Sequence, residues 1–95
     1  MGKAYIIFQE TIHDREAMDT YSQAAMPAIA GKADVLVVDQ NAEVLEGEWP
    51  ANQTVVLAFE SVEAAKAWYE SEAYQAAIPL RQAAADTNVA ILTGF

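Results

Sequence analysis

A chain with two arginines and one histidine offers few groups for charged chemistry. Arg81 stands in an alanine-rich stretch, Ala76-Ala77-Ile78-Pro79-Leu80-Arg81-Gln82-Ala83. A guanidinium that reaches a cleft from there could hold a carboxylate through two parallel hydrogen bonds. The competing assignment is a structural ion pair, with Glu46 or Glu70 as partner. Glu46 could itself act as a base or orient Arg81. Among fourteen Asp and Glu it could equally be a solvated carboxylate at a strand end. Tyr21, Trp68 and Tyr74 could together line a ligand-binding pocket between helices and sheet, with apolar walls and polar tips. Ordinary core is the plainer reading for Trp68, whereas a buried phenol at Tyr21 or Tyr74 needs a hydrogen-bond partner. His13 has the right side chain for acid–base work near neutral pH. It adjoins Asp14 at a helix start, where neighbouring side chains diverge, so the pair makes no dyad and His13 reads as exposed and structural.

Other chemistries drop out on composition. Without cysteine there is no disulfide, no thiolate nucleophile and no cysteine-based zinc site. One histidine is too few for a nitrogen-rich metal site, so only a carboxylate site for a hard cation stays open, and no metal or cofactor is expected. Neither a glycine-rich phosphate loop nor a Gly-x-Ser-x-Gly elbow occurs. The formal charge of −9 repels phosphate backbones and anionic lipid, which argues against nucleic acid and membrane surfaces as partners. No apolar run approaches bilayer-spanning length. The opening Met1-Gly2-Lys3-Ala4-Tyr5 moves straight into strand-like sequence rather than a secretory leader, and the expected location is the cytoplasm.

The elements that must position these residues follow from periodicity. Ninety-five residues make one domain, spanning 1–95. Strand-like runs lie at Ala4 to Phe8 (continuing to Ile12), Val35 to Val38, Val55 to Phe59 and Val89 to Leu92. A weaker run, Glu43 to Glu46, reads as the second strand continuing past a bend or bulge at Asp39 to Ala42, with a hairpin as the alternative. Asp14 caps a helix whose inner stripe is Met18, Tyr21, Ala25 and Ile29, with Pro27 expected to kink or end it and Gly31 at its exit. Ser61 caps the next, with Val62, Ala65, Trp68 and Tyr69 as its stripe. Ser71 restarts a helix over Tyr74 to Ala85, expected to break at Pro79. The order is strand, helix, strand, strand, helix, strand. It predicts an α+β, ferredoxin-like βαββαβ fold, an antiparallel sheet with helices on one face and the first strand between the third and the last.

A sheet with one wet face alternates apolar and polar residues. Here Tyr5-Ile6-Ile7-Phe8, Val35-Leu36-Val37-Val38 and Val55-Val56-Leu57 are apolar at both parities. The helices cover one face only, so the sequence predicts a homodimer packed sheet to sheet; a monomer that tolerates surface Val and Ala is the alternative.

Glu46-Gly47-Glu48-Trp49-Pro50 and Ala67-Trp68-Tyr69-Glu70-Ser71-Glu72-Ala73-Tyr74-Gln75 are followed by Leu80-Arg81-Gln82 and the closing Leu92-Thr93-Gly94-Phe95. With the opening strand and the Asp14 to Tyr21 helix, this series resembles the family called domain of unknown function 1330, over essentially the whole chain. Gln40-Asn41 departs from a glycine pair common in relatives. The resemblance implies a dimeric α/β-barrel related to cofactor-free monooxygenases, isomerases and small degradative enzymes. It implies no activity, and fold kinship to enzymes is an analogy about function. Arg81, Tyr21, Trp68 and Tyr74 fall on family positions. Two functions follow as expectations: a small-molecule site, binding or cofactor-independent, in which Arg81 holds a small anionic organic molecule, or a non-catalytic dimerisation module.

Overall fold

The computed structural model describes residues 3–95. Seven elements follow in order: β1 (Ala4–Ile12), α1 (Arg15–Ile29), β2 (Asp34–Asp39), β3 (Gln53–Phe59), α2 (Val62–Tyr69), α3 (Glu72–Ala84) and β4 (Ala85–Thr93). The four strands form one open antiparallel sheet in the order β2-β3-β1-β4, so β1 lies between β3 and β4 as the sequence predicts.

Each helix starts where its cap demands. Asp14, Ser61 and Ser71 each accept a backbone N–H from three residues on, at Ala17, Ala64 and Tyr74. Glu16, Glu63 and Glu72 place negative charge in the first turns, where the helix dipole favours it. The prolines behave differently from expectation. Pro27 and Pro79 both lie inside their helices, and α3 runs unbroken through Pro79. Both prolines are on exposed faces, as are Gln23 and Gln75 four residues before them, so the carbonyls they orphan open to water. The last strand also begins earlier than its apolar run suggests. Ala85 leaves the helix with extended dihedrals and pairs with Ile12, so β4 takes in Asp86, Thr87 and Asn88.

Alternation along β1 sorts the sheet into two faces. Ala4, Ile6, Phe8, Glu10 and Ile12 point to the helices and are buried. Ile6 sits between Leu57 and Ile91, and burying a side chain such as Ile6 or Leu57 contributes about 1.5–3 kcal/mol. Tyr5, Ile7, Gln9 and Thr11 point away. The same registers put Val56, Ala58, Ala90 and Leu92 on that outer face.

The segment after β2 corrects the sequence reading. The irregularity lies between Val35 and Val37, inside β2, rather than at Asp39 to Ala42. It resets the parity: Val35 is opposite Leu57 on the helix side, Val37 opposite Val56 on the outer side, and Val38 opposite Val55 back on the helix side. Glu43 to Glu46 joins no strand and forms no hairpin; residues 40–52 are an exposed connection that turns at Gly47, φ +75°. Two side chains near its far end tie it to the sheet. Trp49 donates its indole N–H to Thr54 Oγ1 at 2.9 Å, covering Thr54 on the outer face. Asn52 acts as a one-residue strand beside Ile12, accepting its N–H at 2.8 Å and donating to its carbonyl at 3.0 Å. At the other end, Gly94 N–H reaches the Lys3 carbonyl at 2.6 Å, an approach that leaves no room for a side chain on residue 94. Among the described residues, no helix is long and apolar enough to cross a membrane.

Candidate functional site

Three elements bring polar side chains into the layer between sheet and helices. On α3, Tyr74, Ala77, Arg81 and Ala84 form the buried stripe, at spacings of three and four residues. On α1 the stripe is Met18, Tyr21 and Ala25. On β1 the inward position after Phe8 is Glu10. The two helices pack together, and the Tyr21 and Tyr74 hydroxyls meet at 2.7 Å, each the other's hydrogen-bond partner. Trp68 stacks on Tyr74 with ring centroids 4.1 Å apart and donates its indole N–H to the Ala28 carbonyl of α1 at 2.9 Å. The Arg81 guanidinium carbon lies 5.7 Å from the centre of the Phe8 ring.

Arg81 is 3% exposed, and its Nε finds no partner among the described residues. Its charge is felt by Glu10, Tyr21 and Tyr74 alike, favouring the ionised form of each. Burial works in the opposite sense and is the largest influence on all three. It pushes the Glu10 carboxyl up from the usual range, against the Gln53 hydrogen bond and the charges of Arg81 and Arg15. It also raises both tyrosines, Tyr21 far enough that its hydroxyl stays protonated at any physiological pH.

Beside this cluster, between α1 and the β2–β3 half of the sheet, lies a cavity of about 130 Å³. Phe8, Met18, Val55 and Trp68 supply apolar wall, and Glu10, Tyr21, Ser22 and Gln53 are its polar lining. Met26, Val35 and Val38, all more than 40% exposed, stand at its open side. Glu10 is only 2% exposed, which sets it at the inner end. Its Oε1 accepts from Gln53 Nε2 at 2.8 Å, and Gln53 Oε1 in turn accepts from Gln40 Nε2 at 2.9 Å, a polar chain leading outward to β2's end.

The structure thus gathers Arg81, Tyr21, Tyr74 and Trp68, four of the residues that sequence singles out. Tyr21 and Trp68 line the cavity; Tyr74 and Arg81 stand behind it. Glu46 is not brought there. It lies in the exposed connection, and Glu70 is exposed at the end of α2. The carboxylate that shares the buried layer with Arg81 is Glu10. Its signal in the sequence is one of parity, a carboxylate at the fourth inward position of a strand whose other inward residues are apolar. His13 is exposed at the β1–α1 junction, where its backbone N–H bonds the Ala84 carbonyl at 3.0 Å.

Strand order, crossing helices and register define an α+β protein of the ferredoxin-like class. Residues 3–95 match the model of the family described as a domain of unknown function (DUF1330), and the chain belongs to that family. It is similar to a solved protein of unknown function from Rhodopseudomonas palustris, at 18% identity, a TM-score of 0.80, and coverage of 99% of this chain and 83% of that one. It is similar also to a dimeric ferredoxin-like protein of unknown function from Jannaschia sp. CCS1, at 15% identity, TM-score 0.68 and 97% of each chain. A third likeness is to SnoaB, a cofactor-independent oxygenase from Streptomyces nogalater, at 12% identity, TM-score 0.67, 100% of this chain and 95% of that one. At these identities the likeness is one of fold. No curated protein matches the chain.

Proposed function

We propose that this chain is a homodimeric small-molecule-binding protein with one cavity per protomer between α1 and the sheet. The observation that carries the reading is Glu10, a buried carboxylate set at the inner end of a mostly apolar cavity. Folding a carboxylate into such a place costs stability, and that cost is characteristic of binding and catalytic sites rather than of plain core. The arrangement suits cofactor-independent chemistry, since a carboxyl with a raised pKa can take or give a proton nearer neutral pH. Arg81 acts from behind the cavity as the charge that offsets Glu10. The test is a fragment screen by ligand-observed NMR on wild type and on Ser22→Trp, which plugs the cavity mouth from an exposed position. Hits that bind wild type and are lost in the variant support the site; hits indifferent to the plug, or no hits, count against it.

The dimer rests on the outer face of the sheet. Tyr5, Ile7, Val37, Val56, Ala90 and Leu92 share that face, with Val37 39% and Leu92 49% exposed, and no helix covers them. A soluble monomer seldom leaves so continuous an apolar surface in water. The dimeric description of the Jannaschia neighbour is in keeping with this. Light scattering should return about twice the 10.3 kDa chain mass; a monomer at micromolar concentration would rule the dimer out.

A further inference from the structure

The cavity's shape and polarity narrow what it can hold, and this step rests on the cavity reading above. Its volume of about 130 Å³ is close to that of an engineered apolar cavity of roughly 150 Å³ that takes up benzene, so the occupant is of single-ring size. The walls suit a flat apolar body, with the Trp68 indole and Phe8 ring among them. At the inner end Gln53 engages Glu10 Oε1, which leaves Oε2 to accept from a ligand. A carboxylate ligand is disfavoured three ways. It meets the like charge of Glu10, the guanidinium of Arg81 does not line the cavity, and the chain carries a net charge of −9. A full cation is disfavoured by the apolar walls and because Arg81 and Arg15 already act on Glu10.

We propose that the cavity binds a neutral single-ring aromatic molecule bearing one hydroxyl or N–H donor, seated with its ring against Phe8, Met18 and Trp68 and its donor on Glu10 Oε2. The binding site therefore selects against the small organic anions that Arg81 suggests in the sequence. It reads a donor, and the donated proton is the one that Glu10 could accept in a reaction.

Three single-ring probes separate the terms: phenol, benzene and benzoate, titrated at neutral pH with the Trp68 indole N–H resonance as the reporter. Phenol should bind at least about 10-fold more tightly than benzene, since a hydrogen bond to a charged group is worth roughly 1.5–3 kcal/mol. Benzoate should give no saturable shift. Glu10→Gln, folded by its circular dichroism spectrum, should shrink the phenol advantage several-fold and leave benzene affinity within about two-fold. Should Glu10→Gln fail to fold, the phenol-to-benzene ratio in wild type decides by itself. Equal binding of phenol and benzene would overturn the donor assignment while leaving the cavity as a site. Tighter binding of benzoate would overturn it in favour of an anion site. Binding of none of the three would remove the assignment together with the cavity reading.

Discussion

Along β1 both the residues that face the helices and those that face away include large apolar side chains, yet the two sets end in opposite environments. Ala4, Ile6, Phe8 and Ile12 are sealed under helices together with a carboxylate, Glu10, and a guanidinium, Arg81. Tyr5 and Ile7 look out from the uncovered face beside Val37 and Leu92. One face buries charge and the other exposes hydrocarbon. Each inverts the ordinary distribution, and such inversions are more informative than an exposed leucine or a buried valine taken singly. On the proposed reading, the covered face spends stability on a binding site and the bare face withholds stability until a second copy arrives.

The comparison breaks most visibly at Arg81. If it is the counter-charge of the covered face, Arg81→Ala removes the charge that favours ionised Glu10 together with a buried side chain packed beside Phe8, and costs about 3 kcal/mol. On the scale of about 4–8 °C per kcal/mol for a small domain, the melting temperature falls well beyond 10 °C. An almost unchanged melt would show that the guanidinium holds nothing in the native state. The bare face is probed by Ile7→Lys, which sets a charge in the middle of the sheet's outer surface. The dimer dissociation constant should rise by at least about 30-fold, equivalent to roughly 2 kcal/mol, as read by light scattering over a dilution series. A dimer indifferent to the change does not use this face.

A smaller effect belongs to the tyrosine pair. Tyr21→Phe removes one partner of the 2.7 Å hydroxyl contact and should cost about 1–2 kcal/mol by denaturant titration, with the dimer intact. The least effect is a slope. The folded-state pKa of Glu10 is raised above its ordinary 4.5, so the folded chain holds a proton that the unfolded chain has released. The unfolded state binds fewer protons in that window, and stability from this group falls as pH rises from about 4.5 through the folded value. Glu10→Gln cannot titrate. Its melting temperature relative to wild type should therefore climb with pH across that window, and a flat difference would mean that burial leaves Glu10 unperturbed.

The sequence reveals more of the fold than of the site, for reasons visible at particular residues. Asp14, Ser61 and Ser71 announce helix starts because capping is local, and the β1, β2 and β3 cores announce themselves by β-branched runs. Pro79 misleads because an interior proline is better tolerated where the carbonyl it orphans can be solvated, and exposure of that face is a tertiary fact. Asp86 to Asn88 looks like loop because polar residues in a strand are betrayed only by pairing, here with Glu10, Thr11 and Gln9. Arg81, Tyr74, Tyr21 and Trp68 are legible as a group because each is a large polar or aromatic side chain on a helical stripe. Glu10 is masked by thirteen other acidic residues, and only β1's parity marks it. Glu46 draws the eye through its neighbours Gly47, Trp49 and Pro50, yet its segment lies in the exposed connection outside the sheet.

The nine-residue ladder between β1 and β4, closed by the Gly94 to Lys3 contact, joins segments almost the full length of the chain apart. A strand that is central in space is therefore among the last to be completed in time. Such distant pairing predicts slow folding compared with helical proteins of equal size. During synthesis, which proceeds from the N-terminus at roughly 5–20 residues per second, one edge of Tyr5-Ile6-Ile7-Phe8 stays unpaired until β4 emerges. That edge is the segment of the nascent chain with most to gain from a chaperone and most to lose from a neighbouring copy.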